Sequence, residues 1–287
     1  MTYHGNLICE DAPLPLFYHW EPPRFVVDET MAVPESPLFC PLGEFFTVIQ
    51  DHGCSEATHD LLCDMRDLTD LFIAHNTAFD TVVDLEADAH EAGHEQLSVR
   101  YDAKLAEIRA RLALMPSARV QGQPTTGDWI YEACRVASII YTGAIIMRVP
   151  LSVAAEPYRN VIMRDIASLE GTSKGTQITT PRLTETLYEV IEVTNTIDMW
   201  NNMSGVFYWV TMVGAAAART SMNINTYSRP SSVNEAYGTW VRRCLIMFAT
   251  RTMTLTLFEH MLPLIMAEKK LLKVQELLGS GSSRAPA

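Results

Sequence analysis

Closely spaced cysteine pairs are missing from this chain. Its six cysteines, Cys9, Cys40, Cys54, Cys63, Cys134 and Cys244, include no CxxC element, so the core must hold without a disulfide framework. Cys134 and Cys244 lie inside apolar helical runs, where a thiol packs as a small core residue, and a reducing intracellular compartment is expected. Basic charge is scarce as well: 22 Lys and Arg against 34 Asp and Glu leave a net charge of −12. The average surface therefore repels phosphate backbones, and direct nucleic-acid binding is not expected. The first residues carry no basic start followed by an apolar run, so no secretory signal is predicted. The longest apolar run, Met203 to Ala218, covers 16 residues, short of the roughly 20 that cross a bilayer. A protein of the nucleus or cytoplasm with no membrane partner is predicted. Internal repeats and heptad arrays are also missing.

Apolar material is plentiful, at 48% of residues. Two segments, Ala133 to Met147 and Met203 to Ala218, are apolar on almost every side. Helices with no wet face exist in water only when other helices surround them. The expected fold is therefore all-α, a multi-helix layered bundle with two central apolar helices. Residues 1–40, rich in proline, predict an extended N-terminal arm anchored by Phe17, Tyr18, Trp20 and Phe25. Residues 41–278 predict one helical domain, and the Gly, Ser and Pro content of 279–287 a disordered tail.

Within the domain, helical period appears in Leu42 to Gln50. A longer run capped by Ser55 puts Leu61, Leu62, Met65, Leu68, Leu71 and Phe72 on one face. Ser98 to Met115 follows, then Asp128 as cap of a helix to about Arg148 whose only polar stripe is Glu132, Arg135, Ser138 and Thr142. Pro150 to Leu169 and Pro181 to Ile197 read as two amphipathic helices. Val233 to Ala249 and Leu255 to Leu278 close the fold, with a kink expected at Pro263. Thr252 to Leu257 alternates with a strand period but has no partner strand, so it is assigned to helix.

Several motifs carry possible chemistry. His90-Glu91-Ala92-Gly93-His94 has the HExxH spacing of zinc proteases, yet acidic residues surround it and Gly93 weakens the helix, so a solvated linker is expected. Gly171-Thr172-Ser173-Lys174-Gly175 matches GxSxG, with Asp198 and His260 following, but the strand-turn-helix setting of a nucleophile elbow is missing. Cys54, His59 and Cys63, near His52, could collect a soft metal; core packing of Cys63 is the simpler reading. No metal, cofactor or catalytic residue is assigned. Methionine and aromatic side chains on the central helices can line an adaptable apolar pocket, although they are also what any core contains. Tyr141, Met203, Phe207, Trp209 and Met247 are the candidate ligand-binding residues.

Trp129 to Tyr141 (WIYEACRVASIIY) and Trp200 to Ala218 (WNNMSGVFYWVTMVGAAAA) resemble, in order and spacing, the fungal-specific transcription factor domain of the second type. The resemblance covers about residues 36–278. It implies an all-helical regulatory domain that senses small molecules or partners and is associated with dimers. The binuclear zinc cluster that reads DNA in that family needs tight cysteine spacing, which this chain lacks. The expected function is a standalone regulatory domain acting through a protein partner or homodimer, and through an apolar small molecule. The alternative is a secondary-metabolism enzyme, cyclase-like, that uses the same scaffold to fold an apolar substrate.

Overall fold

The computed structural model describes residues 2–9, 32–80, 88–170, 181–219 and 233–282. Among them there are ten α-helices and no strand beyond an isolated bridge between Ser36 and Phe39. The helices are α1 (Thr2–Cys9), α2 (Glu56–Asp80), α3 (Asp88–Leu114), α4 (Trp129–Met147) and α5 (Leu151–Ala154). They continue with α6 (Val161–Leu169), α7 (Leu183–Val193), α8 (Ser204–Ala217), α9 (Val233–Glu259) and α10 (Met261–Ser282). An all-α multi-helix bundle is thus the architecture.

Helices α4 and α8 occupy its middle. α4 is packed by α2, α3, α5, α6, α7 and α8, while α8 is packed by α1, α4, α5, α7 and α9. Every residue of α8 from Gly205 to Ala217 is buried. α4 is long and apolar enough to cross a membrane by composition, yet most of it is enclosed by its neighbours. Of its polar stripe, Glu132, Ser138 and Thr142 are buried and Arg135 is half-buried. Glu132 accepts from the Arg135 guanidinium at 2.9 and 2.7 Å, from Ser117 Oγ at 2.8 Å and from the Ala118 amide at 3.0 Å. A charge can sit inside only when so supplied with partners.

Two glycines allow close approaches that a side chain would block. A Cβ on Gly143 would lie 2.4 Å from Asn160 Nδ2. That amide donates to Ile139 O and Ala154 O, while its Oδ1 caps α6 through the amides of Ile162 and Met163. Asn160 thereby ties α4, α5 and α6 together, and the single helix expected over Pro150 to Leu169 is split in two. A Cβ on Gly205 would lie 2.3 Å from Pro34 O, so the chain entering the bundle crosses the start of α8 at contact distance. Just beyond, buried Glu35 accepts from the amides of Phe46, Thr47 and Val48 at 3.2, 2.7 and 3.2 Å. Burial pushes this carboxyl up, against the pull of those amides.

The termini and two local readings differ from expectation. Thr2–Cys9 is helical rather than extended, because Tyr3, Leu7 and Ile8 bury against the bundle. The four anchors Phe17, Tyr18, Trp20 and Phe25 lie outside the described residues. Of Leu42 to Gln50 only Val48–Gln50 is helical, a single 3₁₀ turn, since Glu35 draws its amides away from a longer ladder. The interruption near Pro263 falls at His260; the proline sits in the first turn of α10, where its missing N–H costs nothing. α10 runs through Ser282, so the expected tail is helical over 279–282, and 283–287 lie outside the described residues.

Candidate functional site

Among the described residues the five candidate ligand residues line neither of the two clefts. Tyr141, Met203, Phe207 and Trp209 are fully buried, and Met247 stands on the outside. Tyr141 meets Trp209 edge-on at 6.0 Å and shares a hydrogen bond of 2.9 Å with Thr69 Oγ1, while Phe207 packs against Trp200 at 4.9 Å. Burial drives the Tyr141 hydroxyl well above its ordinary range. The indole N–H of Trp209 and the Ser138 hydroxyl are buried and find no hydrogen-bond partner among the described residues. These side chains fill the centre with close-packed material, as interiors require.

Space lies elsewhere. A cleft of about 630 Å³ opens between α3 and α6, with Ile146 of α4 also lining it. Its floor is made by Leu105, Ala106, Ala110 and Ala113, which recur at helical spacing on α3, and Leu169 forms a rim. The three alanines leave room where larger side chains would meet α6. Arg109 crosses the cleft to Asp165 with a two-pronged contact, Nε to Oδ2 at 2.7 Å and Nη2 to Oδ1 at 3.0 Å. That contact holds the Asp165 carboxyl below its usual range. Both groups are substantially exposed, so the pair contributes little stability; its effect is to fix a polar wall beside an apolar floor. Sequence reasoning missed this cleft, because its lining comes from helices about fifty residues apart.

A second cleft of about 320 Å³ is lined by His52, Gly53, Ser55, Asp128, Trp129, Ile130, Thr194 and Asn195. Ser55 Oγ is engaged with Thr58, and Asp128 accepts the Tyr131 amide at 2.9 Å as the cap of α4. Both polar groups are spent on starting helices. Nearby, Met199, Trp200 and Asn201 take three consecutive left-handed conformations, held by the Trp200 indole donating to Thr194 Oγ1 at 2.9 Å.

The motif residues fare differently. Cys63 Sγ lies 3.7 Å from His59 Nε2. Burial pushes the Cys54 thiol up to about 11, aided by the nearby carboxylates of Asp51 and Asp128, and raises Cys63 as well. Protonated thiols are poor ligands and nucleophiles. Among the described residues no three His, Cys, Asp or Glu side chains converge as a metal site would need. The side chains of His90 to His94, and all of Gly171 to Gly175, lie outside the described residues. His260 faces Glu259 at 4.0 Å, and Asp198 accepts from Asn195.

A buried polar cluster joins α1 to the bundle. His4 Nδ1 lies 3.0 Å from Tyr208 OH and Nε2 lies 3.0 Å from Thr250 Oγ1, while Tyr208 donates to Glu268 Oε1 at 2.6 Å. Burial and the Glu268 charge drive the Tyr208 hydroxyl well above its ordinary range. The cluster lines neither of the two clefts, and its hydrogen bonds clamp α1 to α8, α9 and α10. Compared with protein-family models, curated proteins and solved structures, the chain finds no match in any of the three.

Proposed function

We propose that this chain is a ligand-responsive helical regulatory domain, of the kind its two central motifs resemble, which binds an apolar small molecule between α3 and α6 and acts through a protein partner. The observation that carries this reading is the α3–α6 cleft. Its volume falls in the range of small-molecule sites, and its apolar floor beside one oriented ion pair suits an amphiphilic ligand with an aliphatic body. The placement of the two motif helices side by side at the centre supports kinship with the fungal-specific transcription factor domain. A nuclear or cytoplasmic location belongs to the same proposal.

A cyclase would need a chamber that excludes water around its substrate. The cleft is open, and its one facing ion pair is engaged with itself, which favours binding over catalysis. The test is titration with a C12 fatty acid, read by displacement of an environment-sensitive apolar dye and by thermal stabilisation. Binding is expected, and Ala110→Trp, which fills the floor, should abolish it while leaving the circular dichroism intact. A protein that ignores the probe, or an Ala110→Trp variant that binds it unchanged, contradicts the cleft as the site.

A further inference from the structure

Helix α9 carries two apolar faces where folding needs one. Val241, Leu245, Phe248, Ala249 and Met253 point into the core. On the other side Trp240 is 48% exposed, Met247 58%, Leu255 47% and Phe258 84%. At 100° per residue, Trp240, Arg243, Met247, Arg251, Thr254 and Phe258 all fall within about 40° of the Met247 direction, with Leu255 at the edge. A stripe of this kind marks an interaction surface, since scattered apolar exposure would not keep to one face.

The charge on that stripe is opposite in sign to the rest of the molecule. From Arg242 to Phe258 the chain has three arginines and no acidic residue, in a protein of net charge −12. Arg243 forms no ion pair among the described residues. Among the described residues Arg251 donates to the carbonyls of Thr196 and Ile197, at 3.2 and 2.7 Å, and meets no carboxylate. Both cations flank Met247 at four residues to either side. A second copy laid along the stripe, parallel or antiparallel, would therefore bring arginine against arginine across the contact, which is repulsive.

We propose that the outward face of α9 is the docking surface for an acidic amphipathic helix of another protein. Its apolar side chains would lie on Trp240, Met247 and Phe258, and its carboxylates would meet Arg243 and Arg251. This supplies the partner half of the function proposed above. Its test involves no cleft ligand, so either half can fail alone.

The probes are two labelled 20-residue helical peptides with the same leucine pattern, one flanked by glutamates and the other by lysines, followed by fluorescence anisotropy. The glutamate peptide should bind despite the repulsion of the whole chain, more weakly as salt rises, and at least about tenfold more tightly than the lysine peptide. Arg243→Glu with Arg251→Glu should reverse the preference at the cost of a small drop in the thermal midpoint, because Arg251 gives up its bonds to Thr196 and Ile197. Arg243→Glu alone should weaken binding of the glutamate peptide, and Met247→Glu that of both peptides, without changing that midpoint. Equal binding of the two peptides, or indifference to the double substitution, overturns the proposal. So does a concentration-dependent dimer that Met247→Glu dissolves, since a second copy would then be the occupant.

Discussion

Helices α8 and α9 pack against each other, yet they use apolar side chains in opposite ways. In α8 no residue from Gly205 to Ala217 reaches solvent, so its composition is fully accounted for by folding. In α9 the inward set from Val241 to Met253 does the same job, while Met247, Leu255 and Phe258 remain outside and Trp240, edge-on to Tyr188 of α7, is about half covered. Hydrophobicity alone therefore separates folding from function poorly; what separates them is whether a neighbouring helix covers each face.

Substitutions sharpen this contrast. The largest effect is expected from Val210→Asp on α8, where an unpaired carboxylate in the dry centre costs several kcal/mol and should remove folded protein from the soluble fraction. Gly205→Ala comes next. Its methyl group meets the backbone of Pro34 and Glu35, which cannot rotate away, so calorimetry should show a loss of about 1–3 kcal/mol.

A subtler difference lies between two of the buried glutamates, Glu132 and Glu35. Burial pushes Glu132 up, but the Arg135 guanidinium, the Ala118 amide and the Ser117 hydroxyl outweigh it and hold the carboxyl below its ordinary 4.5. Its contribution to stability is present above that value and is lost as pH falls through the lower folded one. Denaturant unfolding below pH 4.5 should therefore lose stability more steeply in the native chain than in Glu132→Gln. Glu35, raised by burial, works in the reverse sense: its share is fully present below 4.5 and declines as pH rises through the raised value. Smallest of all is Met247→Asp on the outward face of α9, expected to shift stability by no more than about 0.5 kcal/mol. A large loss there would show that the stripe belongs to the fold.

The fold was legible where one-dimensional patterns settle a structure. The all-round apolarity of Ala133 to Met147 and of Met203 to Ala218 placed α4 and α8 at the centre, and Ser55 and Asp128 cap helices as their side chains suggest. The alternating stretch Thr252 to Leu257 is helix, and the described residues offer it no strand to pair with. What stayed hidden depends on partners distant in sequence. Glu132 is legible in the sequence only as part of a polar stripe, and its partners Ser117 and Ala118 come from the loop before the helix. The split at Asn160 depends on Gly143 of another helix, and the α3–α6 cleft on three alanines whose spacing is unremarkable until Asp165 and Leu169 arrive opposite them. The pocket expected at Tyr141, Phe207 and Trp209 was read from composition, which suits a packed interior equally well.

Native-state hydrogen exchange resolved by helix tests the central claim most directly. If α4 and α8 are enclosed by the rest of the bundle, their mid-helix amides should exchange only through global unfolding, the slowest in the molecule, with those of α9 near Trp240 faster. Amides in the middle of α4 or α8 that open as readily as those around Trp240 would contradict a bundle built around these two helices.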